Sequence, residues 1–243
     1  MVHMSLQFAS SGVLFQAFIQ ADFFGKLIFL ALLLLSLVTW YLLLYKSLLL
    51  RQVRRKAFSL EQLIQEQKGA ILSINLTEQG HPFLKILESI KNKTIEILDK
   101  NHYFHQTKIK EPVFLSDADI NLIDSYVQNT IITEAKQLEK NLFVLGTIVS
   151  LAPFVGILGT VWGILLSFGE MQKGGSLNAN ALMLNGISTA LATTVLGLVI
   201  AIPALISYNY LKSSLKELYL DMNNFSNTLL NTIELQYRKV DIL

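Results

Sequence analysis

The sequence predicts an all-α integral membrane protein with three transmembrane helices and long helical cytoplasmic extensions. Hydrophobic residues make up 52% of the chain and charged residues only 16%, whereas a typical soluble domain carries about 25% charged residues. The apolar residues also collect in three blocks without a charged side chain, at 27–45, 141–169 and 174–211. Each block reaches the roughly 20 residues that a helix needs to cross the hydrocarbon core.

The composition argues against several other functions. A net charge of +2, with no basic tract containing interleaved aromatics, gives no sign of nucleic-acid binding. Without cysteine, neither a disulfide nor a thiolate metal site can form. His102 and His105 are three residues apart, but no further ligand is evident, so we expect no metal site. No catalytic set or phosphate-binding glycine loop is evident, and we expect neither an enzyme nor a cofactor.

Basic residues determine the predicted orientation. They follow the first block at Lys46, Arg51, Arg54, Arg55 and Lys56, and the third block at Lys212 and Lys216. The segment before the first block has only Lys26, and the loop between the second and third blocks has only Lys173. The positive-inside rule therefore predicts a multi-pass inner-membrane protein with a periplasmic N-terminus and a cytoplasmic C-terminus.

This orientation divides the chain into seven predicted segments. They are a periplasmic N-terminal segment (1–21), transmembrane helix 1 (22–45), a cytoplasmic helical region (46–140), transmembrane helix 2 (141–169), a short periplasmic loop (170–184), transmembrane helix 3 (185–211) and a cytoplasmic C-terminal helix (212–243). We expect the helix of the first span to continue well into the cytoplasm, because nothing in the following residues breaks it.

Within the cytoplasmic region, Pro82 predicts a helix start, and residues 102–112 are predicted to form a linker. Ser116 and Asp119 resemble a capping box. No proline follows before Pro153, so we expect one unbroken helix from about Asp117 into transmembrane helix 2.

The C-terminal segment carries a near-heptad stripe of apolar residues. The stripe consists of Leu211, Leu215, Leu218, Met222, Phe225, Leu229 and Ile233. Alternating spacings of four and three are typical of helix-on-helix packing. Transmembrane helix 3 is therefore expected to extend unbroken into the cytoplasm.

Small residues recur every three or four positions in the second and third spans. One ladder contains Ala152, Gly156, Thr160, Gly163 and Ser167, with Gly159 close by, and the other contains Ala190, Thr194, Gly197, Ala201 and Ala204. Such faces let helices approach closely in lipid. The ladders could be packing seams only, or Thr160 and Thr194 could line a polar seam whose hydroxyls orient a carboxylate of a partner. Pro153 and Pro203 are candidate helix kinks.

None of the three apolar blocks contains Asp, Glu, His, Lys or Arg. Ionisable groups inside a membrane usually mark ion or proton paths. If this protein moves protons, the proton-binding group must therefore come from a second protein.

Two longer motifs are more specific than composition. Residues 151–163, LAPFVGILGTVWG, resemble the "APxxGxxGTVWG" signature of the TolQ/ExbB family, and residues 186–204, GISTALATTVLGLVIAIPA, resemble its "GIAEALxxTxxGLxxAIPA" signature. The order of the spans and the large region between the first two also match that family. The resemblance covers nearly the whole chain.

The resemblance implies a proton-driven motor subunit. Family members form homo-oligomeric rings, taken to be pentamers, around a dimeric single-span partner of the ExbD/TolR type that carries a transmembrane Asp. Proton flow is thought to drive a periplasm-spanning protein of the TonB/TolA type. The resemblance implies pore-lining roles for Thr160 and Thr194, and neighbouring candidates are Thr189 and Thr193.

One departure from the family pattern concerns proton transfer. The family usually has Glu in the third-span motif, where this chain has Thr189, and a threonine can hydrogen-bond but cannot take up and release a proton at working pH. The alternatives are a passive homo-oligomeric membrane scaffold and a flagellar stator-like subunit, although stators usually have four spans. The sequence does not separate a TolQ-type role from an ExbB-type role.

Overall fold

The computed structural model describes residues 12, 14–66, 80–105, 114–172 and 179–237, which are almost entirely helical. Its long helices are α1 (Phe23–Glu66), α2 (Pro82–His105), α3 (Asp117–Glu139), α4 (Leu142–Gln172) and α5 (Ala179–Tyr237). Residues 14–20 form a further short helix, and no β-strand occurs in the described ranges. The all-α prediction is confirmed.

Three parts of the chain are helical, long and apolar enough to cross a membrane, and they lie in α1, α4 and α5. The protein is therefore a multi-pass membrane protein. By internal contacts the chain divides into two compact units. We call residues 1–46 and 141–211 the membrane unit, and residues 47–140 and 212–243 the polar unit.

Two predictions about helix limits are wrong. The helix expected to run unbroken from Asp117 is interrupted, because α3 ends at Glu139 and α4 begins at Leu142. Asn141 has φ +70°, a left-handed conformation that asparagine tolerates and that cannot continue a right-handed helix. The predicted linker at 102–112 starts too early, since α2 continues to His105, and residues 106–113 lie outside the described ranges.

Other local predictions are confirmed. Helix α2 begins at Pro82, and Lys85 N donates to His81 O at 3.1 Å. The capping box forms at the start of α3, where the Ser116 amide donates to Asp119 Oδ2 at 2.9 Å and the Asp119 amide donates to Ser116 Oγ at 3.2 Å. The segments 1–11 and 173–178, including the predicted Gly174-Gly175 loop, lie outside the described ranges.

In the membrane unit, α1, α4 and α5 share one apolar cluster. Its buried members are Ile28, Leu32, Ile148, Ala152, Ile200, Ala201 and Ala204. Five of these seven residues lie on α4 and α5, and three of the five are alanines, Ala152, Ala201 and Ala204. This composition allows the close helix approach on which the candidate site depends.

In the polar unit, α2 and α3 pack antiparallel, because Ser89 contacts Thr130 at 3.1 Å and Asn101 contacts Asp119 at 3.3 Å. Every residue of the stripe predicted from Leu211 to Ile233 is buried, and α5 is continuous through it. The predicted unbroken extension of the third span is therefore confirmed.

Candidate functional site

Helices α4 and α5 meet along a seam where glycine brings the two main chains together. A Cβ atom added to Gly197 would lie 2.7 Å from Ala152 O and 3.2 Å from Gly156 Cα. A Cβ atom added to Gly156 would lie 3.0 Å from Thr193 O and from Thr194 Cα. Because these neighbours are main-chain atoms, a larger side chain cannot be accommodated by rotating a side chain. Glycine is required here by close backbone approach.

The seam continues in both directions with small residues. A Cβ atom added to Gly163 would lie 2.6 Å from Ala190 Cβ, and one added to Gly159 would lie 2.7 Å from Thr193 Cβ. Ala201 is buried in the apolar cluster. Sequence spacing placed Gly163 on one face of the second span and Ala190 and Ala201 on one face of the third, and the structure brings these two faces into contact.

Three threonine hydroxyls lie in this seam. Thr193 is 2% exposed, and its Oγ1 lies 2.6 Å from Ala190 O and 3.1 Å from Gly156 O. Thr194 is half-buried, and its Oγ1 lies 3.0 Å from Gly156 O and 3.4 Å from Thr160 Oγ1. The structure therefore brings the two threonines implied by the resemblance into direct contact and places Thr193 beside them.

A count of protons shows what this group offers chemically. Each threonine hydroxyl has one proton to donate and two lone pairs that can accept. Thr160 Oγ1 donates to Ile157 O at 2.7 Å, and Thr194 Oγ1 has two acceptors within reach, Gly156 O at 3.0 Å and Thr160 Oγ1 at 3.4 Å. When Thr194 donates to the nearer Gly156 O, both hydroxyl oxygens keep lone pairs that can accept from a proton donor. After the hydroxyls rotate about their Cβ–Oγ1 bonds, the same groups can donate to an anion.

Thr189 and the two prolines lie outside this hydroxyl pair. Thr189 is half-buried, five residues before Thr194 on α5, and takes no part in the hydrogen bonds described above.

Helices α4 and α5 remain helical through Pro153 and Pro203. Ser207 Oγ donates to Pro203 O at 2.7 Å. The kinks stay predictions, as does a pore-lining role for Thr189.

Sequence reasoning missed a polar contact between α1 and α4. Trp162 Nε1 donates to Asp22 Oδ2 at 3.0 Å, and its ring centroid lies 4.6 Å from that of Phe24. The Asp22 carboxylate also accepts the amides of Phe24 at 3.3 Å and Gly25 at 2.9 Å, as an N-cap does. Asp22 before the start of a helix is the one sequence signal that could have suggested this cap.

The structure describes one of the two histidine side chains considered for metal binding. His102 is exposed on α2, whereas the side chain of His105 is not described. Among the described residues, no three His, Asp or Glu side chains lie close enough together to hold a metal ion.

Comparison with known proteins gives matches over the region that contains the site. The MotA/TolQ/ExbB proton channel family matches residues 97–224, more than half of the chain. The biopolymer transport protein ExbB of Aquifex aeolicus is 45% identical over 86 residues, which cover 35% of this chain and 57% of that protein. The ExbB of Helicobacter pylori is 42% identical over 103 residues, which cover 42% of this chain and 67% of that protein.

A third relative matches along most of its length. The Tol-Pal system protein TolQ of Haemophilus influenzae is 26% identical over 216 residues, which cover 86% of this chain and 88% of that protein. The family match includes α4, the seam and most of α5. Together with the three apolar helices, these matches show that the chain belongs to the MotA/TolQ/ExbB proton channel family.

Proposed function

We propose that this chain is an inner-membrane subunit of a motor complex driven by the proton-motive force. Copies of the chain form a ring, a pentamer by family resemblance, around the membrane helices of an ExbD/TolR-type partner. The complex energises a TonB/TolA-type periplasm-spanning protein for transport or envelope maintenance. The names of two relatives, a biopolymer transport protein and a Tol-Pal system protein, support this proposal. The N-terminus is periplasmic and the C-terminus cytoplasmic, as the basic residues predict.

The observation that carries the proposal is the contact between the hydroxyls of Thr160 and Thr194. When both hydroxyl protons point to main-chain carbonyls, the two oxygens offer lone pairs to a protonated carboxyl of a partner. After that carboxyl loses its proton, rotation about the Cβ–Oγ1 bonds lets the same hydroxyls donate to the carboxylate. The pair can therefore hold both protonation states of one carboxyl group without moving the main chain.

The proton itself needs a titratable group, and the hydrogen bonds described for the hydroxyl pair include no carboxylate. The sequence of the membrane unit contains two carboxylates, Asp22 and Glu170. Asp22 accepts three N–H bonds at the start of α1, and both residues lie outside the charge-free blocks. A transmembrane Asp of the partner supplies the missing group in this proposal.

A double substitution tests the role of the hydroxyls. Val at positions 160 and 194 keeps the threonine shape and removes both hydroxyls, whereas Ser at both positions keeps the hydroxyls. A hydrogen bond to a charged group contributes about 1.5–3 kcal/mol, so we expect the Thr160→Val/Thr194→Val variant to lose roughly tenfold or more of its proton flux. Proteoliposomes containing the chain and its partner measure the flux, and native mass spectrometry checks that the ring assembles.

The serine variant should retain most of the flux. A valine variant that conducts protons normally from an intact ring would exclude the hydroxyl pair as part of the proton path. A valine variant that does not assemble would show that the two threonines act as packing residues.

Thr189 favours a second candidate function, a passive homo-oligomeric scaffold without proton coupling. The family signature has Glu at this position, and a threonine hydroxyl cannot take up and release a proton there as a carboxylate does. Dissipation of the proton gradient distinguishes the two functions. If collapse of the proton gradient in cells leaves the function of the complex unchanged, the chain is a scaffold, whereas loss of function supports the motor.

A further inference from the structure

A second feature of the membrane unit is an apolar crevice of about 630 Å³. Its walls come from the short helix 14–20, from α1 and from α5, and include Phe15, Phe18, Leu30, Leu33, Trp40 and Val199. Ser36 and Thr39 are its polar residues. The Thr39 hydroxyl donates to Leu35 O at 2.9 Å within its own helix, so the crevice offers a hydrocarbon surface.

The crevice is about one leaflet deep. Its α1 wall runs from Phe29 to Trp40, which at 1.5 Å per residue is about 17 Å. Half of a hydrocarbon core about 30 Å thick is about 15 Å. A single acyl chain that enters from one side of the membrane therefore matches the length of the crevice.

A cation lies at one end of the crevice. Lys26 precedes Leu30 by four residues and Leu33 by seven, so the three residues share one face of α1. Lys26 is exposed, and it is the only Lys or Arg in the first 45 residues of the chain. Its ammonium group can pair with a phosphate positioned one helical turn beyond the apolar walls.

We propose that this crevice binds one phospholipid, with an acyl chain between the helix 14–20, α1 and α5 and its phosphate beside Lys26. The length of the crevice and the register of Lys26 support a lipid as its occupant. This site is separate from the threonine pair and does not depend on the motor function.

Fluorescence quenching tests the proposal, because Trp40 lines the crevice and the chain contains only two tryptophans. The full chain in detergent micelles is titrated with phosphatidylglycerol brominated on one acyl chain. We expect saturable quenching that unbrominated phosphatidylglycerol reverses. Ser36→Phe fills the crevice and should abolish saturation, whereas Leu37→Phe, at an exposed position outside the lining, is the matched control and should bind normally.

The phosphate contact has its own variant. Lys26→Gln should weaken binding about fivefold, the effect of one basic residue at a membrane surface. Quenching that rises linearly with the concentration of brominated lipid, equally in the wild type and Ser36→Phe, would contradict a lipid site in the crevice. Such quenching would report only ordinary contact of tryptophan with the surrounding lipid. Equal affinity of Lys26→Gln and the wild type would overturn the phosphate position. Absence of quenching, with efficient disulfide formation between chains carrying Leu33→Cys, would show that a second copy covers the crevice.

Discussion

The membrane unit and the polar unit are both built from packed helices, but opposite kinds of side chain hold them together. Along the seam of the membrane unit the contacts are made by glycine, alanine and threonine, while Phe154 is 68% and Val161 60% exposed. In the polar unit the large side chains are inside, since Phe83 is fully buried and its ring lies 5.3 Å from that of Phe225.

The difference follows from the surroundings of each unit. In water, burial of large apolar side chains is the main driving force for packing. In lipid this force is absent, and helices associate through close van der Waals contact and hydrogen bonds, which small residues and hydroxyls permit. The polar unit also contains ion pairs between its helices. One joins Lys85 Nζ to Glu134 Oε1 at 2.7 Å.

The largest expected effect is a cavity in the polar unit. Phe83→Ala removes a fully buried ring and should cost about 3–5 kcal/mol of local stability. Hydrogen exchange measures the result as faster exchange of the amides of α2, with exchange in the seam of the membrane unit unchanged. Phe83→Leu is the control and should show a smaller effect. Equal acceleration in both units would contradict the contrast between them.

A smaller effect is expected in the membrane unit. Here an added side chain, and not a removed one, should lower the stability of the helix packing. Gly197→Ala places a methyl group 2.7 Å from Ala152 O, and overpacking of this kind costs about 1–3 kcal/mol. The midpoint of thermal unfolding in detergent should fall.

The matched control for this substitution is Gly169→Ala. Gly169 is also helical, and a Cβ atom there meets nothing within 4 Å. Because alanine favours helix over glycine, this control should leave the midpoint unchanged or raise it. If both variants lower the midpoint equally, close backbone approach is not what makes glycine necessary at Gly197.

The smallest effect concerns the start of α3. Ser116→Ala removes the N-cap and should cost about 1 kcal/mol of local stability. Hydrogen exchange would show this as faster exchange of the amides in the first turn of α3.

Burial raises the pKa of the Asp119 carboxyl, but hydrogen bonds from Ser116 and Asn101 outweigh it, so the pKa lies below its ordinary value.

The sign of the pH effect follows from this direction. A lowered pKa means that ionised Asp119 stabilises the folded state above the unfolded pKa of about 3.9, and that this stabilisation is lost as the pH falls through the lower folded pKa. After correction for the intrinsic exchange rate at each pH, the protection of the α3 amides in the wild type should therefore fall toward pH 3, and Asp119→Asn should remove this pH dependence. An unchanged dependence in Asp119→Asn would exclude this carboxylate as its source.

Much of the fold could be predicted from the sequence, because each feature depends on residues close together in the chain. The stripe from Leu211 to Ile233 and the two small-residue ladders need only the helical period. The break at Asn141 was missed because a positive φ at one residue leaves the apolar pattern on either side unchanged.

The parts of the site that were missed depend on distant residues or on helix rotation. Asp22 and Trp162 are 140 residues apart, and neither position alone indicates the contact. Thr193 and Thr194 are adjacent, so their side chains differ by about 100° around α5. Only the crossing of α4 over α5 decides that Thr193 is buried and that Thr194 contacts Thr160.

The most direct test of the central proposal asks what faces Thr194 in the assembled complex. The chain has no native cysteine, so Thr194→Cys, and Leu34→Cys as a control on the exposed side of α1, can each carry one thiol-reactive benzophenone in the cell's own membrane. We predict a photo-cross-link from position 194, but not from position 34, to a small single-span protein with a transmembrane Asp. Adducts only between copies of this chain, or the same pattern from both positions, would contradict it.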